Sequence, residues 1–374
     1  MKFRVGFVVE QALGHVAYGM GLKNALAGRE DLEPVWLEVP YALGKFERLP
    51  WIGKNWTVRG SARAWKKIRD ARLKAPLDAL FLHTQTVSIF STTHMRRVPT
   101  LLSLDATPRN LDELGASYAH EVASASVERL KLLAHRSVMQ RAQRLTAWSE
   151  WTKNSLVREY GVRAESVTVI HPGTVLSNYP APATRTVRRE GPLRVLFVGA
   201  DFVRKGGDLL LEVFRRHLRG RCELHLITAA DVPREEGVHV YRGLKPHSAE
   251  LFARYRDADV FALPTRGDCL AVVLGEAMAS CLPIITTRVG AHAEAVEDGR
   301  SGYLLSVDDA DGLRDRLERL AADRELVFRM GMRSRQIGEE RFDMNKNAHR
   351  IADMLIGLAK RTRANENAAG VPAP

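Results

Sequence analysis

The feature that most constrains the fold of this chain is an alternation of short apolar runs with longer segments of helical periodicity. Such runs are typical of strands buried in a parallel sheet, and segments such as Val16–Ala27 between them have the spacing of crossover helices. The first series of runs comprises Phe3–Val9, Ala79–Leu82, Thr100–Leu104, Leu145–Trp148 and Val167–Ile170. The second comprises Leu193–Val198, Glu223–Ile227, Val238–Tyr241, Val260–Leu263, Pro283–Thr286 and Tyr303–Leu305. The pattern predicts two α/β domains in tandem.

The boundary between the two domains is expected in the segment Tyr179–Pro192, because its prolines and glycine can continue neither a helix nor a central strand. We therefore expect an N-terminal domain over 1–178 and a C-terminal domain over 192–340. A helical pattern over about 345–362 is expected to return to the first domain. After Arg363 the apolar periodicity is lost, which predicts a frayed tail.

An acidic pair lies in the segment Pro264–Val296, which follows one predicted strand and precedes another. In open parallel sheets, ligands bind beyond the carboxyl ends of the strands, where helix N-termini offer unpaired N–H groups. Asp268 and Glu276 are eight residues apart, or about two helical turns, so both can reach one elongated ligand. The alternative is that Asp268 caps the helix and Glu276 is a solvated helix residue.

A basic loop lies in the segment Leu196–Phe214, in which a predicted strand ends at Gly199 and a glycine pair opens a helix. Arg204 and Lys205 lie in this loop. Two cations beside a helix N-terminus can neutralise a pyrophosphate that gains charge as a glycosidic bond breaks. The alternative is an ordinary solvated basic loop.

These segments resemble the donor site of retaining glycosyltransferases of the GT-B class, in particular family 4 (glycosyl transferases group 1). Asp268 stands at the first position of the Glu-x7-Glu pattern of that family. The resemblance implies an α/β GT-B fold, with two Rossmann-like domains facing each other across a cleft. It also implies transfer of a hexose from a UDP- or GDP-linked sugar to a hydroxyl acceptor, either a glycan or a lipid-linked molecule, with retention at the anomeric carbon.

The resemblance also implies roles for individual residues. Glu276 would bind the ribose hydroxyls, and Lys205 with Arg204 would stabilise the leaving diphosphate. Asp268 would hold the donor sugar together with backbone amides; the further donor-binding residues would be Gly14, Gly199, Cys269, Leu270 and Ala271. Where the family usually has Gly-Phe-Gly-Leu, this chain has Cys269 to Val272. Because the departing diphosphate can accept the acceptor's proton while Lys205 and Arg204 stabilise its charge, no protein base is compulsory. Neither a metal nor a cofactor is expected.

Acceptor-side candidates follow two strands of the first series. The segment Gln11–His15 resembles the glycine-containing loop that family members bring against the donor, and His15 could donate to a phosphate or an acceptor hydroxyl. Asp105 and Thr107 come just after another predicted strand, where an acceptor would enter. The alternatives are that His15 is a capping or surface group and that Asp105 caps a turn.

Residues 45–75 form a basic, aromatic stretch. If Arg63–Ala75 is helical, its apolar residues share one stripe and its cations cover the rest, a pattern typical of binding to an anionic membrane surface. A lipid-linked acceptor would suit such a surface. The alternative is that Trp65 and Ile68 pack against their own domain while the cations face water. The net charge of +12 favours an anionic partner, but nucleic acid is not expected because no module for it is recognised.

The remaining features concern compartment and rival functions. No stretch has the length and apolarity of a membrane span or signal peptide. The three cysteines, Cys222, Cys269 and Cys281, form no C-x-x-C pair, which favours a reducing compartment. We therefore expect a cytoplasmic protein that can associate peripherally with the inner membrane face. Two rival functions on the same fold are a nucleotide-sugar-binding protein without catalysis and a sugar-nucleotide epimerase.

Overall fold

The computed structural model describes residues 2–12, 14–42, 55–115, 125–179, 181–186, 190–246 and 248–368. The chain divides into two compact units. Unit 1 combines Met1–Asp112, Glu121–His171 and Asn345–Pro374, and unit 2 combines Glu113–His120 and Pro172–Met344. The change of unit therefore comes at His171–Pro172, ahead of the proline-rich segment to which the sequence pattern assigned the linker. Among the described residues, no helix is both long and apolar enough to cross a membrane.

Unit 1 is built on a parallel sheet in the strand order β2-β1-β3-β4-β5-β6. The strands are β1 (Phe3–Gln11), β2 (Leu32–Pro40), β3 (Ala79–His83), β4 (Thr100–Leu104), β5 (Arg144–Ala147) and β6 (Val167–Val169). The helices are α1 (Gly14–Leu26), α2 (Trp56–Lys74), α3 (Thr92–Met95), α4 (Pro108–Glu113), α5 (Ala125–Arg141) and α6 (Glu150–Arg158). Strands β3 and β4 are buried throughout, as their predominantly apolar sequences predict.

Unit 2 is built on a second parallel sheet, in the order β12-β11-β10-β7-β8-β9. Its strands are β7 (Leu193–Val198), β8 (Cys222–Ile227), β9 (Val238–Tyr241), β10 (Val260–Leu263), β11 (Ile284–Thr287) and β12 (Gly302–Leu305). Its helices are α7 (Gly207–Val213), α8 (Ala249–Asp257), α9 (Val272–Ala279), α10 (His292–Ala295), α11 (Ala310–Ala322) and α12 (Arg324–Arg341). A π-helical turn, Phe214–Leu218, extends α7. The predicted α/β class with two parallel sheets is confirmed.

The last helix, α13 (Met344–Ala368), belongs almost entirely to unit 1. Its Asp353 accepts a hydrogen bond from Arg29 at 2.5 Å, and its Arg363 forms an ion pair with Asp78. The prediction of a frayed tail after Arg363 is wrong up to Ala368, because the helix continues that far.

The strand order places one crevice in each sheet. From β1 the chain moves first to β2 on one side and later to β3 on the other, so the order reverses between β1 and β3. The same reversal occurs between β7 and β10 in unit 2. In doubly wound sheets, ligands bind beyond the carboxyl ends of the strands at this point. The loops after these four strands are therefore where a site is expected.

Candidate functional site

In unit 2 the reversal point brings together the basic loop after β7 and the acidic loop after β10. The Lys205 ammonium forms an ion pair with the Asp268 carboxylate. Both side chains are largely buried, at 15% and 9% exposed. A buried charge is stable only when it is paired and hydrogen-bonded. The two residues are 63 positions apart in the chain, so only the fold makes this pair.

Two glycines allow these loops to approach so closely. Gly206 has φ +76°, and a Cβ atom there would lie 2.0 Å from the carbonyl oxygen of Pro264. Gly290 has φ +49°, and its Cβ atom would lie 2.2 Å from the carbonyl oxygen of Asp268. Both positions combine a left-handed backbone with no room for a side chain, so glycine is required. The glycines thereby fix where Lys205 and Asp268 meet.

Arg204 connects the same two loops. Its guanidinium donates to the carbonyl of Gly267 at 2.8 Å and to the carboxylate of Asp201 at 3.0 Å. Its own carbonyl accepts a hydrogen bond from the backbone N–H of Arg266 at 2.8 Å. Arg204 therefore holds the position of the acidic loop and adds positive charge beside Lys205.

The Asp268 carboxyl is ionised in this setting. Burial acts to raise its pKa, but the charge and hydrogen bond of Lys205, together with the charge of Arg204, outweigh this effect and hold the pKa below the ordinary value. The carboxylate also accepts a hydrogen bond from the backbone N–H of Cys269 at 3.1 Å. The site thus presents a fixed negative charge and cationic groups side by side.

His292 supports the acidic loop from α10. Thr286 Oγ1 donates to the carbonyl of Leu263 and therefore accepts the Nδ1–H of His292, both at 2.8 Å. The other ring nitrogen, Nε2, is then free to accept the backbone N–H of Ala271 at 3.4 Å. Burial lowers the pKa of His292 to about 4, so the ring is neutral and can keep this arrangement.

These contacts change the expectation for the donor-sugar amides. The N–H of Cys269 is bonded to Asp268 and the N–H of Ala271 to His292, so both have partners within the protein. The side chains of Cys269, Leu270 and Ala271 are buried, at 5%, 3% and 7% exposed. Two of the three backbone N–H groups that were expected to hold the donor sugar therefore position the loop instead.

Glu276 lies on α9 in a second cluster of unit 2. Its carboxyl accepts a hydrogen bond from the Tyr255 hydroxyl at 2.7 Å, and the Tyr179 ring lies edge-on to Tyr255 at 6.1 Å. Burial raises the pKa of Glu276 to about 7, with a smaller opposing effect from the Tyr255 hydrogen bond. The alternative of a solvated helix residue does not describe Glu276, because it is 9% exposed.

In unit 1 the reversal point holds a chain of polar groups. His15 Nδ1 and His83 Nε2 share a hydrogen bond of 2.9 Å, and His83 Nδ1 is paired with the Ser103 hydroxyl at 3.2 Å. The Nε2 atom of His15 lies 3.7 Å from the Asp105 carboxylate. Burial, and to a lesser degree the charge of His15, lowers the pKa of His83 well below its ordinary value. His83 is therefore neutral and fixes the ring of His15.

Glu10 belongs to the same cluster and lies near the carboxyl end of β1. Its carboxyl accepts hydrogen bonds from the indole N–H of Trp56 at 2.6 Å and from the Thr84 hydroxyl at 2.8 Å. Burial raises its pKa, while His15 and the two hydrogen bonds act in the opposite direction. An acid, two imidazoles and the Asp105 carboxylate thus meet at the carboxyl ends of β1, β3 and β4.

Three other predicted site residues have different settings. The hydroxyl of Thr107 is fully buried and bonded to Ser155 at 2.6 Å and to Asn110 at 3.1 Å, so it stabilises the start of α4 rather than facing an acceptor. Gly14 is the exposed first residue of α1. Gly199 packs against the side chain of Lys205, since a Cβ atom there would lie 3.0 Å from it.

The basic stretch lies only partly within the described residues, which exclude 43–54. Within α2, Ala64, Ile68 and Ala71 are buried, and Trp65 is half-buried with its indole N–H bonded to Thr93 at 3.1 Å. This stripe therefore packs on its own unit, as the alternative interpretation held. Lys66, Lys67 and Arg69 are exposed, however, and so is Leu73 at 78%.

Sequence reasoning missed Glu10, His83 and His292. Glu10 and His83 each stand at or near the carboxyl end of a predicted strand of unit 1, a position that could have signalled them. His292 gave no such signal, because its role depends on Thr286 and Ala271, which only the fold brings near.

Comparisons with known proteins match both halves of the chain to glycosyltransferase families. Residues 192–323 match the family described as "Glycosyl transferases group 1", and residues 26–178 match "Glycosyltransferase Family 4". A D-inositol 3-phosphate glycosyltransferase of Geodermatophilus obscurus is 31% identical over 225 residues, which are 53% of this chain and 50% of that protein. The chain spans about half the length of the curated relatives it matches.

Solved structures share the fold over nearly the whole chain. Sucrose-phosphate synthase from Thermosynechococcus elongatus superposes with a TM-score of 0.73 at 17% identity, covering 96% of this chain and 99% of that one. HepE of Anabaena in complex with UDP-glucose superposes with a TM-score of 0.69 at 17% identity, covering 95% and 99%.

Proposed function

Because this chain belongs to the family-4 glycosyltransferases and has their GT-B fold, we propose that it transfers a sugar from a nucleoside diphosphate sugar to a hydroxyl group of an acceptor. The observation that carries the proposal is the Lys205–Asp268 pair at the reversal point of the unit 2 sheet. It places a cation and an anion where a phosphate and a sugar would lie next to each other.

Lys205 and Arg204 bind the diphosphate in this proposal. The Lys205 ammonium has three N–H donors, and the Asp268 contact occupies one of them, so the others remain for phosphate oxygens. Their charge stabilises the leaving diphosphate as the glycosidic bond breaks. Since these side chains supply the positive charge, the reaction needs no metal ion. The structure of a relative with UDP-glucose supports a uridine donor, with a guanosine donor as the alternative.

Asp268 and Glu276 bind the two ends of the donor. The Asp268 carboxylate accepts hydrogen bonds from the sugar hydroxyls, and Glu276 accepts them from the ribose. A hydroxyl pair on ribose matches the two oxygens of a carboxylate. We further propose that the anomeric configuration is retained, with the departing phosphate oxygen taking the acceptor's proton.

The acceptor is proposed to bind at the carboxyl ends of β1, β3 and β4 in unit 1. There the Nε2 atom of His15 and the Asp105 carboxylate, 3.7 Å apart, can both contact one hydroxyl group. His83 holds His15 in place from the other side of the ring. Such polar groups suit a glycan or the sugar part of a lipid-linked acceptor.

An anionic membrane is the proposed site of action. Unit 1 has a groove of about 530 Å³, which we call the basic groove; it is lined by Trp65, Arg69, Arg72, Leu73, Thr93, His94, Arg96 and Arg97. Four guanidinium groups can bind lipid phosphates, and the exposed Leu73 can enter the acyl boundary.

The donor is tested with UDP, GDP and ADP as probes. Binding to the folded state raises the melting temperature, and at a hundred times Kd the gain is about 2.7 kcal/mol. We expect one of the three to raise it clearly more than the others, and the matching nucleotide sugar to be consumed when an acceptor is present. No shift with any of them contradicts the proposal. Binding without consumption indicates a binding protein, and conversion of the sugar without an acceptor indicates an epimerase.

A further inference from the structure

Three side chains that commonly bind metals meet on β8 and β9, apart from the loops that carry Lys205 and Asp268. Glu223 and His225 are two residues apart on β8, so they lie on one face of the sheet. His225 is paired in register with His239 on β9, and their rings stack at 4.8 Å. One ligand atom from each of the three residues lies within 4.8 Å of the others.

His225 has one anchored and one unpaired ring nitrogen. Its Nδ1 atom shares a hydrogen bond of 3.0 Å with the Tyr241 hydroxyl, which also accepts a bond from Arg254 at 3.1 Å. Its Nε2 atom is buried without a hydrogen-bond partner in the described part of the chain, and lies 3.8 Å from the Glu223 carboxylate. Burying a polar atom unpaired costs free energy. Metal-binding histidines typically have this arrangement, with one nitrogen fixed by a neighbour and the other facing the ion.

We propose that Glu223, His225 and His239 bind a divalent transition-metal ion of the Zn²⁺ type. Two imidazoles and a carboxylate are ligands that zinc prefers, and water would complete a tetrahedron. With bonds of about 2.0–2.1 Å, ligand atoms lie about 3.4 Å apart. The exposed His239 and the half-buried Glu223 can close the remaining distance by moving roughly 1 Å.

A cation of the protein already lies near the proposed metal site. Arg194 Nε lies 3.9 Å from the same Glu223 oxygen, so the ion must share or displace this contact. Once bound, the ion joins edge strand β9 to β8 by side chains as well as by backbone hydrogen bonds. Its expected effect is on the stability of unit 2, since it lies beside neither Lys205 nor Asp268.

The test is titration of the tag-free chain with Zn²⁺ alone, by calorimetry and by equilibrium dialysis with metal analysis. The chain has 12 histidines, so the matched control is His217→Ala, which removes another exposed histidine of unit 2. We expect one saturable site per chain in the parent and in the control. His239→Ala and Glu223→Gln should each weaken binding at least about tenfold, the loss seen even for residues that only support a ligand.

Two results would overturn the proposal. One is a parent protein with no saturable Zn²⁺ site. The other is equal affinity in His239→Ala, Glu223→Gln and His217→Ala, which would assign the binding to other histidines. Nucleotide binding by His239→Ala reports separately on the donor site, so the metal site can fail while the proposed transferase function stands.

Discussion

Lys205 is the residue whose removal most directly tests the donor site. Replacing it by methionine keeps the bulk of the side chain and removes the ammonium. Hydrogen bonds to charged groups contribute about 1.5–3 kcal/mol, so we expect the affinity for the nucleoside diphosphate to fall by about 10- to 150-fold. Calorimetry measures it, and the exposed Lys245→Met is the matched control.

A second variant separates binding from folding. Lys205→Met leaves the buried Asp268 carboxylate without its cation, which destabilises the protein. Lys205→Met combined with Asp268→Asn removes both charges and should recover the melting temperature but not the affinity. If the single variant binds the diphosphate as tightly as the Lys245 control, Lys205 does not contact the phosphates.

Binding of the nucleotide is expected to release a proton from the Glu276 carboxyl. Burial raises its pKa to about 7, so near neutral pH about half of the molecules carry this proton. Ribose hydroxyls that donate to the carboxylate favour its ionised form and lower the pKa, so up to about half a proton should be released. The measurement is calorimetry at pH 7 in two buffers of different ionisation enthalpy. In Glu276→Gln the binding enthalpy should no longer depend on the buffer. If the binding enthalpy of the parent protein does not depend on the buffer either, the ribose does not contact Glu276.

Individual site residues were predictable only where local sequence revealed them. Lys205 and Asp268 each follow a predicted strand, and parallel strands end at the same edge, so their proximity could be expected before the structure. The partners of Glu276 could not. Tyr255 lies on α8 and Tyr179 precedes β7, and no periodicity links them to α9. Long-range side-chain pairs depend on packing, which a single sequence does not encode in any local pattern.

At the scale of elements, Gly206 of the basic loop should affect stability through its contact with the loop after β10. Gly206 and Gly220 both have φ +76°, but only Gly206 faces a backbone carbonyl, that of Pro264. Alanine at Gly220 should cost only the strain of a left-handed residue, about 1–2 kcal/mol. Alanine at Gly206 adds a steric clash that separates the loops after β7 and β10.

The comparison of Gly206→Ala with Gly220→Ala is made by urea unfolding. We expect Gly206→Ala to lower the free energy of unfolding by at least about 2 kcal/mol more than Gly220→Ala, in the range of severe backbone conflicts. It should also weaken diphosphate binding, because Lys205 is the preceding residue. Equal unfolding midpoints for the two variants would show that the loops can separate at little cost.

Strands were predictable where they are buried on both faces. The central strands β3, β4 and β10 are predominantly apolar, and their positions agree with the prediction to within a residue. Strand β2 was missed because two glutamates and two prolines interrupt the apolar residues of LEPVWLEVP. These features are compatible with its place at the edge of the sheet, where one side needs no hydrogen-bond partner.

For the whole molecule, the net charge of +12 raises the question of whether binding to a membrane would be general or local. If binding is local, the basic residues of α2 and the basic groove contribute more to membrane binding than basic residues elsewhere in the chain. Replacing Lys66, Lys67 and Arg69 by glutamate should abolish sedimentation with phosphatidylserine-containing vesicles, since each basic residue near an anionic surface contributes about 1 kcal/mol. Replacing the exposed Arg234, Arg242 and Lys245 by glutamate changes the net charge equally and should leave most of the binding. An equal loss of sedimentation in both variants would mean that vesicle binding depends on total charge alone. If the parent protein does not sediment with the vesicles, the proposed membrane binding is wrong.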